Sequence, residues 1–167
     1  MILVTLFLTA FGFSQDEYFQ RSLSSWMAYN QYAPAGTLRI QLGGTFEQQL
    51  AAGSAFYSIS GVDITGQPAT TPDGKFKIPV LTFSGRTGLK YYPPLGMGNL
   101  RPYVLGDVGL SGSLQNTLGS YTGGGGTDYQ FKPHWAAASE FRVVGRQGTN
   151  TDYMVSFGLK FLTFRTK

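Results

Sequence analysis

The sequence predicts an all-β protein: one antiparallel, up-and-down β-barrel that crosses a membrane, with eight strands as the expected count. Three observations carry that expectation. Several segments alternate apolar and polar residues with period two, the spacing of a strand with unlike faces. Charged residues make up only 13% of the 167-residue chain while aromatics reach 15% and glycine contributes 23 residues, an unusual mixture for a soluble domain. No segment after the N-terminus approaches the roughly 20 apolar residues of a transmembrane helix, so a membrane crossing has to be made by strands.

Met1 to Phe13, "MILVTLFLTAFGF", is an uncharged apolar run ending just before the polar "SQDEYFQ". It is too short for a spanning helix and has the length of a secretory signal core, with Ala10 and Gly12 as small residues before a cleavage point near Ser14 and Gln15. Residues 1–15 are therefore expected to be a signal peptide and 16–167 a single barrel domain. Phe19 to Tyr29 is a weak strand candidate. In "TLRIQLGGTFEQ", Leu38, Ile40, Leu42 and Phe46 oppose Arg39, Gln41, Thr45 and Glu47. The stretch around "GSAFYSISG" alternates less cleanly, and "VDITGQPATTPDG" reads as a loop because glycine, proline and threonine dominate it.

From Leu81 to Tyr91 the pattern is sharp: Leu81, Phe83, Leu89 and Tyr91 fall on one face, and Thr82, Ser84, Arg86 and Lys90 on the other. "PPLGMGN" is a turn-rich connector. After it, Val104, Val108 and Leu110 oppose Tyr103, Asp107 and Ser111. Leu114 to Tyr121 is a second weak strand candidate, and the glycine-rich "SYTGGGGTD" reads as a mobile surface loop. In "FKPHWAAASEFRVV", Trp135, Phe141 and Val143 oppose His134, Glu140 and Arg142. Finally Tyr153, Val155, Phe157, Leu159 and Phe161 alternate with Met154, Ser156, Gly158 and Lys160.

The contents of the two faces argue for lipid rather than water outside. A solvent-facing sheet carries many lysines and glutamates, whereas these polar faces carry mostly glycine, serine and threonine with a few charges of both signs. That mixture suits a narrow lumen in which Arg86, Lys90, Asp107, Glu140, Arg142 and Lys160 neutralise one another. Aromatics at strand ends, Tyr91, Tyr92, Tyr103, Trp135, Tyr153, Phe161 and Phe164, are expected in the two interfacial girdles.

The order "FSGRTGLKYYPP…RPYVLGDVGLSG…FRVVGRQG…DYMVSFGLKFLTF" resembles the small outer-membrane β-barrel family of the OmpA, OmpX and OmpW type in Gram-negative bacteria. The resemblance covers Thr37 to Phe164 as a pattern. It implies residence in the outer membrane, lipid and the outer-membrane insertion machinery as partners together with envelope proteins, and a structural or adhesive role or limited passage of small solutes. It also implies a C-terminal assembly signal built from Phe157, Leu159 and Phe161, with either Phe161 or Phe164 as its terminal aromatic, because Arg165, Thr166 and Lys167 follow. The leader ending "FSQ" is similar to leaders of the Bacteroidota.

Residues that could do chemistry are few. The chain has one histidine and no cysteine, which excludes disulfides, thiolate metal sites and cysteine nucleophiles. If His134 lies on a strand it shares a face with Glu140 while Ser139 points away, so the three cannot form a local triad. Asp107 and Glu140 are expected in structural ion pairs. Asp63, Asp73 and Asp128 read as solvated acids near loops. "TGGGGT" lacks the lysine and following helix of a phosphate loop. The net charge of +4 is scattered, so nucleic acid is not an expected partner, and neither a metal nor another cofactor is expected. The alternatives are a lipid A-modifying barrel hydrolase acting through His134 and a serine of another strand, and a soluble lipocalin-like barrel, which would need an apolar interior and a polar exterior.

Overall fold

The computed structural model describes residues 18–32, 37–70, 76–95, 97–112, 117–148 and 151–164. The expected signal peptide, Asp73 and the last three residues lie outside them. Eight strands follow one another around a closed antiparallel barrel: β1 (Arg21–Tyr32), β2 (Thr37–Gln49), β3 (Phe56–Thr70), β4 (Phe76–Tyr91), β5 (Leu100–Gly112), β6 (Thr117–Lys132), β7 (Trp135–Arg146) and β8 (Asp152–Thr163). β1 closes the barrel on β8 in a register running from Arg21 opposite Thr163 to Tyr32 opposite Asp152. Closure leaves no strand edge unpaired.

The strands run 12 to 16 residues, longer than the 9–11 that a tilted crossing requires. The reason is that both segments read as loops are strand. Val62 to Thr70 of "VDITGQPATTPDG" belongs to β3, and "SYTGGGGTD" lies wholly within β6. In the first, Asp63 and Thr65 alternate with Val62 and Ile64 as strictly as in any other strand. Its proline, Pro68, sits where the β3–β4 register shifts, a bulge at which a residue without an N–H costs no ladder bond.

In β6 the glycines make room. A Cβ on Gly124 would meet the Phe141 carbonyl oxygen, and one on Gly126 would meet the Ser139 carbonyl oxygen and lie 2.7 Å from the Tyr103 hydroxyl. Outward-facing Gly123 has nothing within 4 Å of the same position. The inward glycines are thus required by the close approach of the β7 backbone and, at Gly126, of the Tyr103 hydroxyl. Trp26 uses the same device on β1: its ring and Cβ occupy the space that side chains on the neighbouring Gly43 and Gly158 would fill.

The chain enters and leaves at one end of the barrel, the end that also carries the β2–β3, β4–β5 and β6–β7 connections. Gly53 and Gly98, in the first two of these, adopt positive φ values of 74° and 64° that turn the chain tightly. The connections at the other end run over 33–36, 71–75, 113–116 and 147–151.

Burial alternates as the sequence dictates, and it places polar residues inside and apolar residues outside. Val62, Phe83, Val108, Leu110, Phe157 and Leu159 are each more than half exposed, while Glu47, Lys90, Asp107, Asp128, Arg142 and Lys160 are almost fully buried. This facing is the reverse of a lipocalin, whose interior must be apolar.

Candidate functional site

Among the described residues, charged groups converge in the lumen, and it is filled in tiers. The mouth at the termini end is closed by an aromatic plug. Phe19, from the segment before β1, folds inward between Tyr57 (ring centroids 4.5 Å apart) and Tyr92 (5.5 Å), with Ile59 and Leu162 beside them. The Tyr57 hydroxyl donates to the Phe19 carbonyl at 2.7 Å and so fixes the entering chain.

Above the plug, Glu47 of β2 accepts from Lys90 Nζ of β4 at 2.6 Å, from Lys160 Nζ of β8 at 3.1 Å and from the Tyr92 hydroxyl at 3.1 Å. Asp128 of β6 holds Lys160 and the same Tyr92 hydroxyl, the latter at 2.8 Å. Four strands are thereby tied at one level. Tyr103 donates to Glu140 at 2.8 Å and lies 3.8 Å beneath the Lys90 ammonium, which adds a cation–π contact to the pair.

The next tier is built on Arg142, whose Nε donates to Glu140 and whose Nη1 lies 3.9 Å from Asp107. Arg86 reaches Asp107 at 3.6 Å, donates to the Thr45 hydroxyl at 3.0 Å and stacks 5.0 Å from the Trp26 ring. Towards the far end, Gln41 donates to Asp63, and Arg146 pairs with Asp152. Between these groups remain cavities of about 20 Å³ and 30 Å³, each with room for one or two waters.

No family model matches the sequence. No curated protein matches it either. Solved structures do match in shape. Neisserial surface protein A aligns with a TM-score of 0.65 at 11% identity, over 86% of this chain and 96% of that one. The N-terminal β-barrel domain of Pseudomonas aeruginosa OprF gives 0.58 at 14% identity, over 87% and 99%. Outer membrane protein W of E. coli gives 0.56 at 14%, over 87% and 98%. The fold is that of small outer-membrane barrels.

All six residues expected in the lumen, Arg86, Lys90, Asp107, Glu140, Arg142 and Lys160, project into it and join in ion pairs. The sequence reading missed Glu47 as a member of the network and misplaced Asp63 and Asp128. These two are not solvated loop acids but lumen residues 5% and 1% exposed. Tyr92 and Tyr103 likewise belong to the lumen, not to an interfacial girdle, being 2% and 3% exposed. Parity could have shown this, because Tyr92 follows outward Tyr91 and Tyr103 precedes outward Val104.

Of the other expected girdle residues, Tyr91, Trp135, Tyr153 and Phe161 face outward, and Phe164 does not. Tyr91 packs on Phe56 at 4.7 Å and Trp135 on Phe161 at 5.3 Å. Phe157 and Leu159 stand exposed in the same outward row of β8 as Phe161, whereas Phe164 lies half-buried against the plug.

His134 does not lie on a strand. It sits with Pro133 in the β6–β7 turn, exposed, its Nδ1 3.0 Å from the Leu162 carbonyl oxygen. Ser139 lies on β7 and shares a hydroxyl contact of 3.2 Å with Thr127. Among the described residues, no group of three or more histidines and carboxylates is placed to hold a metal ion.

Proposed function

We propose that this protein is a non-enzymatic outer-membrane barrel of a Gram-negative envelope, in which it serves a structural role with a closed lumen. The single observation that carries the reading is the inversion of its faces. A closed barrel exposes a continuous apolar belt, Leu42, Val62, Phe83, Val108, Leu110 and Leu159 among it, around an interior of paired charges. Water would penalise such a surface and hydrocarbon would not, since lipid tails match the belt and closure satisfies the backbone. The outward hydroxyls of Thr127 and Ser139 contact each other, and that of Thr87 donates to the Ile59 carbonyl at 3.2 Å, as groups facing lipid must find partners.

Three features favour a structural role over solute passage or adhesion. The plug closes one mouth, two cavities between the described lumen residues are about 20 and 30 Å³, and the connections at the end away from the termini are short in sequence. Lipid is the expected partner of the belt, and the outward row of β8 ending in Phe157, Leu159 and Phe161 is the expected substrate of the insertion machinery.

Cysteines introduced at Phe83 and at Arg86 test the reading. In cells, Phe83→Cys should react with a membrane-soluble maleimide in the outer-membrane fraction, and Arg86→Cys should stay protected until the barrel is unfolded. Boiling should change the migration of the folded chain in detergent gels. Recovery of the protein as a water-soluble monomer without detergent would overturn the proposal.

A further inference from the structure

The outward face of the barrel is not evenly filled. The register sets Leu42 of β2, Ile64 of β3 and Phe83 of β4 side by side in one row, and Gly44, Val62 and Gly85 in another row of the same face, closer to the termini end. All three side chains of the first row stand exposed. In the second row only Val62 does, 68% exposed between two glycines. A Cβ on Gly85 would meet nothing within 4 Å, so no neighbour compels a glycine there, unlike at Gly124 and Gly126.

The outcome is a groove of about 460 Å³, walled by Leu42, Ile64, Phe83 and Val62 and floored by Gly44 and Gly85, within the size range of small-ligand sites. Asp63 and Ser84 border it through their backbone, while their side chains line a lumen cavity on the other face of the sheet. An occupant is therefore held by shape, through close contact with hydrocarbon walls.

The groove is continuous with the apolar belt: Met27 pairs beside Leu42 and Leu110 beside Gly85, both exposed. Lipid tails are as apolar as these walls, so burial alone gives no gain in a membrane and the occupant is chosen by packing. Val62 decides which occupant packs. A second barrel laid against this sheet would meet Val62 before reaching either glycine, whereas a flexible chain settles into the space beside it.

We propose that this groove binds one acyl chain of a membrane lipid, seated over Gly85 and Gly44 against Leu42, Ile64 and Phe83, and selected by its chain and not by its headgroup. The groove's role rests on the belt facing lipid, and adds to that reading a place where one lipid is held while the lipids around it exchange.

Native mass spectrometry of the full barrel tests it, after release from nanodiscs that contain equal parts of phosphatidylcholine and phosphatidylglycerol with the same acyl chains. One lipid should stay with the barrel, drawn equally from the two headgroups. Gly85→Leu fills the groove and should lower the retained fraction by about threefold or more, while Gly123→Leu, at an outward glycine outside it, should leave retention unchanged. Heat-modifiable migration of both variants checks that the barrel has formed.

A second measurement needs no variant. Exchanging dimyristoyl for the branched diphytanoyl chains under one headgroup should shift the NMR amide signals of Gly44, Val62 and Gly85 more than those of Gly106 and Gly123. No retained lipid, unchanged retention in a folded Gly85→Leu barrel, retention set by headgroup, a second barrel retained in place of lipid, or equal shifts at both glycine sets would overturn the proposal. A wild-type chain that never enters the nanodisc would instead sink the lipid-facing reading, and this site with it.

Discussion

Replacing Glu47 with glutamine removes one charge from the most connected point of the lumen while keeping the side chain's shape. The Lys90 ammonium then loses its partner at 2.6 Å and retains only Glu140 at 3.7 Å, whereas Lys160 keeps Asp128. Glu47 is 1% exposed, so water cannot take its place without opening the barrel. Breaking a buried pair from one side costs about 3–5 kcal/mol, and because both lysines keep a second acid the lower end, about 3 kcal/mol, is expected. Urea unfolding of the barrel refolded into phosphatidylcholine vesicles, followed by tryptophan fluorescence and far-ultraviolet circular dichroism, measures it. Lys90→Met on its own should also destabilise. The double variant Glu47→Gln/Lys90→Met should be less destabilised than the sum of the singles, by more than about 1 kcal/mol, because each change removes the other's penalty. A loss below about 0.5 kcal/mol for Glu47→Gln, or strict additivity in the cycle, would show that the network contributes nothing cooperative and would refute the reasoning.

Val62 is 68% exposed in the middle of the apolar belt, and Val62→Arg should lower the same unfolding free energy by about 2–4 kcal/mol in vesicles. Phe19→Ala should cost about 3–5 kcal/mol, because Phe19 is 1% exposed and its loss leaves a void between Tyr57 and Tyr92. Gly126→Ala should destabilise the barrel or prevent its folding, since the new methyl meets the Ser139 carbonyl oxygen, while Gly123→Ala should be tolerated. Comparing the heat-modifiable fractions of these two variants checks that assignment.

How much of this was legible in the sequence depends on what each signal measures. Period-two alternation reports only which way a side chain points, and wherever large apolar residues marked one face it placed the other face inside. β5, β8 and the Leu81 to Tyr91 part of β4 were read almost residue by residue for that reason, while Phe76 to Val80 of β4 were not assigned to a strand. It failed where glycine, proline and threonine replaced the apolar markers. Composition then suggested loops, although in β6 Gly124 and Gly126 are there because the β7 backbone, together with Arg142 and Tyr103, fills the space beside them. The same blindness hid Asp63 and Asp128, which lie in those two segments.

Charge balance carried a warning that alternation did not. Arg86, Lys90, Arg142 and Lys160 are four cations, and Asp107 and Glu140 only two acids. A lumen closed to bulk water holds two uncompensated charges only at a large cost, because a buried charge without a partner loses its hydration and gains nothing in return. Two more carboxylates at matching depth were therefore required by physics before any coordinates. Glu47, already on the inward face of β2, was one, and Asp128, hidden in the glycine run, was the other; both end on Lys160.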